Sequence, residues 1–113
     1  MADALQSAVR RLAFRESLSA DESSDAFALI MSGEASAAQV AALLMALRVK
    51  GETADGVAGA ARALRGAMVS IDAEERDALV DTCGTGGGAV LSFNISSAAG
   101  PLAARAGVPI RKD

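Results

Sequence analysis

The residues best able to do chemistry are the run Gly84-Thr-Gly-Gly-Gly88 and the polar side chains shortly after it. Gly84, Gly86, Gly87 and Gly88 let the backbone approach a ligand and take positive φ, so successive amides can converge on one anion. A helical pattern opens downstream at Asn94, and a helix N-terminus adds the positive end of its dipole. A phosphate or pyrophosphate is the natural guest. Thr85, Ser92, Ser96 and Ser97 offer hydroxyls around it, and Asn94 offers an amide. The same glycines equally suit a tight strand-to-helix turn that holds no ligand.

The run is not a Walker loop, because no Gly-Lys-Ser/Thr follows at the required spacing. It does fit the looser dinucleotide spacing as Gly84-x-Gly86-x-x-Ala89, with Asp113 placed where a ribose-binding acid would stand. That motif, however, starts its helix among the glycines, whereas Val90-Leu-Ser-Phe-Asn94 intervenes here.

Composition removes other chemistries. The chain has 113 residues, no histidine and one cysteine, which excludes His-dependent triads, His metal sites, zinc fingers and an internal disulfide. Cys83, after a strand-like run and before glycine, reads as a small buried side chain rather than a nucleophile. A net charge of −3 gives no electrostatic footprint for nucleic acid. Arg10-Arg11, Arg48 with Lys50, and Arg62 with Arg65 read as solvated helix faces. Asp72, Glu74, Glu75 and Asp77 read as a solvated connection rather than a paired-carboxylate site. The acidic start lacks the positive charge of a signal peptide, and no apolar run approaches the roughly 18 residues of a membrane span. The expectation is a soluble, cytoplasmic protein that binds neither membrane nor nucleic acid.

The elements that must position the glycine run fall into two parts. With 51% apolar residues and 27 alanines, closely packed helices are expected. Leu5, Ala8, Val9 and Leu12 form one helical stripe. Ser19-Ala-Asp-Glu22 and Ser36-Ala-Ala-Gln39 are capping boxes, each opening a helix. The first carries Ala26, Phe27, Ile30 and Met31 and stops at Gly33. The second turns Val40, Leu43, Leu44 and Leu47 inward and stops at Gly51, with Arg48 and Lys50 at the negative end of its dipole. Thr53 caps a fourth helix, whose apolar face is read as Val57, Ala60, Ala61, Leu64 and Met68. Gly56, Gly59 and Gly66 in it make sense if another helix crosses closely.

After Ile71 the pattern changes. Residues 78–83 read as a strand, Asn94 to Ala106 as a capped helix ending at Gly107, and 108–112 as a second strand. Pro101 is a misfit within the helix. The crossover would be right-handed and the strands parallel. The predicted fold class is thus a mainly α N-terminal helical bundle over 1–70, a linker over 71–77, and the start of an α/β domain over 78–113. That start is one incomplete β-α-β unit, since parallel sheets usually need more strands and two covered faces.

These residues resemble the anthranilate phosphoribosyltransferases of tryptophan biosynthesis. The resemblance rests on Asp81-Thr-Cys-Gly-Thr-Gly-Gly87, on Phe93-Asn-Ile-Ser-Ser97, and on Gly107 leading into Arg111-Lys112. Upstream, Ile30-Met-Ser-Gly-Glu34 and Gln39 through Thr53 look like that family's helical domain. The wider family includes pyrimidine nucleoside phosphorylases, but Phe93-Asn-Ile-Ser96 looks like the anthranilate branch. The resemblance implies transfer of phosphoribose from phosphoribosyl pyrophosphate to the amino group of anthranilate, with magnesium and a homodimer formed through the helical domains. It implies that Gly84, Thr85, Gly86 and Gly87 hold the pyrophosphate through backbone amides. Asn94, Ser96 and Ser97 would contact phosphoribosyl pyrophosphate, Ser96 would also lie near a magnesium ion, and Lys112 would balance the charge. Such a leaving group calls for electrostatic stabilisation and no covalent nucleophile.

Three positions depart from that family. Gly88 stands where it usually has aspartate, which removes a polar contact. Ser97 replaces a common threonine and keeps the hydroxyl. The family's Lys-His-Gly-Asn stretch is here Lys112-Asp113. The family's magnesium-binding acidic pair and anthranilate-binding arginine lie further along than residue 113, so little or no catalysis is expected of these residues alone. The alternative reading is a non-catalytic truncated paralogue acting as a helical dimerisation or interaction module.

Overall fold

A computed structural model of the chain describes residues 3–70, 76–84 and 94–111. It divides into two compact units, Met1–Ser70 and Ile71–Asp113. The first unit contains α1 (Ala4–Ala13), α2 (Ala20–Met31), α3 (Ala37–Lys50) and α4 (Ala54–Ala67). Local signals set every start. The Asp3 carboxylate accepts from Gln6 N–H at 2.7 Å to cap α1. Both capping boxes close: Ser19 with Glu22 and Ser36 with Gln39 satisfy each other's backbone donors. Thr53 Oγ1 accepts from Gly56 N–H at 3.2 Å to cap α4. Gly33 and Gly51 end α2 and α3 with φ of +78° and +91°. Arg15 ends α1 at φ +63°, while Glu16 N–H reaches back to the Arg11 carbonyl at 3.0 Å.

The core of this unit is Leu5, Ala8, Leu12, Leu18, Ala26 and Leu43, with Val9, Phe27, Ile30 and Leu47 among the side chains packed against it. Each buried leucine contributes on the order of 2 kcal/mol. The α1 stripe is as expected. On α3, Leu43 is buried and Leu47 packs against the core as expected, but Leu44 is 50% exposed. The expected α4 face fails more broadly: Val57, Leu64 and the C-cap Met68 are 55%, 46% and 58% exposed. The packed face of α4 is instead its glycines, with Gly56 and Gly59 buried. A Cβ on Gly59 would run into the Ala20 carbonyl oxygen and lie 2.8 Å from Ser23 Cβ, so α2 crosses here backbone to backbone. Ser23 Oγ seals the crossing by donating to the Gly56 carbonyl at 2.6 Å. Gly66 has nothing within 4 Å of its Cβ position and takes no part, contrary to expectation.

Ionic contacts tie the helices at the surface. Arg62 of α4 donates to Asp21 Oδ1 at 2.6 Å and to the Ala20 carbonyl at 3.1 Å. Arg11 of α1 bonds both Glu16 and Glu22. Those two carboxylates, Glu16 foremost, raise the Arg11 pKa above its ordinary value. Glu22 is held below the usual carboxylate range, first by the Ser19 backbone N–H, and, against a partial burial penalty, by the Arg11 guanidinium. Among the described residues, no helix is long and apolar enough to cross a membrane.

Among its described residues the second unit has a 3-10 turn (Arg76–Ala78), β1 (Val80–Asp81), α5 (Ile95–Arg105) and β2 (Ile110–Arg111). The strands pair in parallel, Val80 opposite Ile110 and Asp81 opposite Arg111. Val80 N–H extends the ladder by donating to the Pro109 carbonyl at 3.0 Å. Both strands are shorter than the sequence suggests, and Ala78, expected in the first, lies in the 3-10 turn. Strand length is set by paired neighbours, and among the described residues this ladder has two residue pairs. Gly107 ends α5 at φ +87°. Pro101 lies inside α5, where its missing N–H leaves the Ser97 carbonyl without its usual helical donor.

Candidate anion site at the start of α5

The described part of the site is built where β1 ends and α5 begins. Asp81 Oδ1 accepts from Cys83 N–H at 3.0 Å, an Asx-type turn that bends the chain out of the strand towards Gly84. Gly84 is exposed, with nothing within 4 Å of its Cβ position. Thr82 Oγ1 donates to the Ser96 carbonyl at 3.1 Å, joining the strand exit to the first turn of the helix. Cys83 is exposed, not buried as its context suggested; a strand with a single neighbour covers little of its own end.

Asn94 caps α5. Its Oδ1 accepts from Ser97 N–H and from the Ser96 hydroxyl, each at 2.9 Å. The cap thereby organises all three polar residues singled out here by sequence, Asn94, Ser96 and Ser97, into one turn. The Asn94 oxygen is spent on this turn, and among the described residues its amide nitrogen donates no hydrogen bond. Ser96 is half-buried, and its hydroxyl donates to Asn94 Oδ1. Ser97 is exposed. The positive end of the α5 dipole lies in this turn and favours an anion.

The structure thus gathers Asn94, Ser96 and Ser97 in the first turn of α5, which Thr82, two residues before Gly84, contacts through the Ser96 carbonyl. Thr85, Gly86, Gly87 and Lys112 lie outside the described residues, as do Gly88 and Ser92. Thr82 is the contact that sequence reasoning missed. No local signal marks it, since the contact joins residues fourteen apart.

Among the described residues no group of three or more His, Cys, Asp or Glu side chains could hold a metal. Among the described residues the ligating atoms at this junction are a few oxygens, the Ser96 and Ser97 hydroxyls and the Asp81 carboxylate. That fits magnesium in its usual nucleotide and pyrophosphate setting, where water and phosphate oxygens supply most of an octahedral oxygen shell and the protein supplies little. It does not fit a soft, thiolate- or imidazole-binding metal.

The comparisons with known proteins cover both units. Residues 6–68 match the helical bundle domain of the glycosyl transferase family, and residues 76–113 match the α/β domain of the same family. The chain is 43% identical over 108 residues to an anthranilate phosphoribosyltransferase of Azospirillum brasilense, covering 96% of this chain and 30% of the relative. It is 45% identical over 104 residues to that of Sinorhizobium medicae, covering 92% of this chain and 30% of the relative. It is 48% identical over 95 residues to that of Methanothermobacter marburgensis, covering 84% of this chain and 27% of the relative. The chain therefore spans about 30% of the length of the curated relatives it matches. With a helical bundle followed by the start of an α/β domain, and family matches over both, the chain belongs to the glycosyl transferase family.

Proposed function

We propose that this chain anchors phosphoribosyl pyrophosphate for transfer of its phosphoribose to anthranilate, a step of tryptophan biosynthesis. In that reaction the anthranilate nitrogen forms a bond to the ribose anomeric carbon, the carbon–oxygen bond to pyrophosphate breaks, and the nitrogen loses a proton. The leaving group is a polyanion, so the chain's task is to hold and neutralise it. The observation that carries the reading is the capped first turn of α5, which gathers Asn94, Ser96 and Ser97 beside the exit of β1. Backbone amides of Gly84, Thr85, Gly86 and Gly87 would bind the pyrophosphate, and Lys112 would offset its charge. Magnesium bound there would neutralise developing charge on the phosphates, with Ser96 Oγ as a protein oxygen beside it.

The helical unit would serve as a homodimer surface. Supporting this, Leu44, Met45, Val49 and Val57 on α3 and α4 are all at least half exposed. Leu44 and Val57 also line a mostly apolar groove of about 250 Å³ with Phe27, Leu47 and Ala60, edged by Glu52 and Thr53. Sedimentation equilibrium tests it: a dimer is expected, and a Leu44→Glu variant that sediments as the parent does would contradict it.

Calorimetric titration of the chain with phosphoribosyl pyrophosphate and magnesium tests the anchoring reading. Saturable binding that weakens with added salt is expected. Absence of binding at millimolar ligand would overturn it.

A further inference from the structure

The Thr82 side chain lies along one face of α5. Its Oγ1 donates to the Ser96 carbonyl at 3.1 Å, and the same oxygen is 3.8 Å from where a Cβ on Gly100 would stand. Ser96 and Gly100 are one turn apart, so they share that face. Gly100 is buried there, and its Cβ position is also 3.8 Å from Ile110 Cγ2 of β2. This contact matters because the first turn of α5 lacks one of the hydrogen bonds that would tie it to the next turn. A first turn is the part of a helix most prone to fray, and Pro101 withholds the N–H that would have bonded the Ser97 carbonyl. Among the described contacts, the Asn94 cap braces the turn from within the helix and Thr82 braces it from the exit of β1.

Resting on the anchoring reading above, we propose that Thr82 is a positioning residue. Its hydroxyl pins the first turn of α5 to the exit of β1, and so fixes Asn94, Ser96 and Ser97 relative to Gly84. Thr82 acts through the Ser96 carbonyl and need not touch the ligand. Anion binding by amides and hydroxyls depends on their convergence on one point, so small displacements of the turn weaken every contact together.

The test uses the full chain, inorganic pyrophosphate with magnesium as the probe, and two variants. Thr82→Val keeps the shape and removes the hydroxyl; Thr82→Ser keeps the hydroxyl. The expected result is that Thr82→Val weakens pyrophosphate binding roughly five- to tenfold, the effect of losing one hydrogen bond. Amide exchange at Ser97 and Ala98 accelerates in the same variant, while amides of α1 to α4 keep the parent's rates. Thr82→Ser restores binding to within about twofold. A merely structural role would change exchange or unfolding without this loss and rescue of affinity. Equal binding by Thr82→Val and the parent overturns the positioning role and leaves the anchoring reading intact. Failure of the parent itself to bind pyrophosphate overturns the anchoring reading, and the role of Thr82 falls with it.

Discussion

Gly59→Ala is the sharpest probe of the helical unit, because helix propensity and packing predict opposite signs. In an exposed helix interior, alanine for glycine adds about 1 kcal/mol of stability. At Gly59 the new methyl would run into the Ala20 carbonyl oxygen and stand 2.8 Å from Ser23 Cβ and 2.9 Å from Ser24 N. Two of those atoms are backbone, so no side chain can rotate away and α2 must move off α4. Overpacking of this kind costs about 1–3 kcal/mol. The shift also strains the buried Ser23 Oγ–Gly56 carbonyl hydrogen bond, 2.6 Å long, which adds about 1 kcal/mol. Against the propensity gain, the net loss is about 2 kcal/mol. For a unit of this size that lowers the unfolding midpoint by roughly 10 °C. Gly66→Ala is the internal control, since the same helix has nothing within 4 Å of that position. It should gain about 0.5 kcal/mol and raise the midpoint by a few degrees. Thermal and urea unfolding by far-ultraviolet circular dichroism reads both. A Gly59→Ala variant as stable as Gly66→Ala would refute the close crossing of α2 and α4.

Glu22 makes the helical unit sensitive to acid. Its folded pKa is lowered, so it contributes stability above its unfolded value of about 4.3 and loses that contribution as pH falls through the folded value. Urea unfolding over a pH series should show the parent weakening below about pH 4.5 more steeply than Glu22→Gln; parallel curves would count against it. Arg15 sits at φ +63° as the last residue of the α1 turn, so Arg15→Gly should stabilise the unit by about 0.5–1 kcal/mol in the same assay, and a loss would contradict the cap geometry.

The helix boundaries were legible because their causes are local. Ser19 with Glu22, Ser36 with Gln39, and Thr53 act within one turn, and Gly33, Gly51 and Gly107 stop helices by their own backbone freedom. The buried faces were less legible. Hydrophobic periodicity ranks Val57, Leu64 and Met68 above Gly56 and Gly59, yet the buried side of α4 is the one whose missing side chains admit another backbone. The strands were overestimated, since Ala78–Cys83 has strand-forming residues but only Val80–Asp81 finds a partner. At the site, the Asn94 cap and its link to Ser97 follow from spacing of three residues. The Thr82–Ser96 contact joins residues fourteen apart through the fold, and no local pattern carries it.

Anion binding at the start of α5 is tested most directly by amide chemical shifts, followed by nuclear magnetic resonance during a titration with magnesium pyrophosphate. Saturable shifts are expected at Gly84 and across Ile95–Ala98, with Asn94→Ala abolishing them and the amides of α1 to α4 unmoved. Shifts that spare the first turn of α5, or that arise instead in the helical unit, would contradict it.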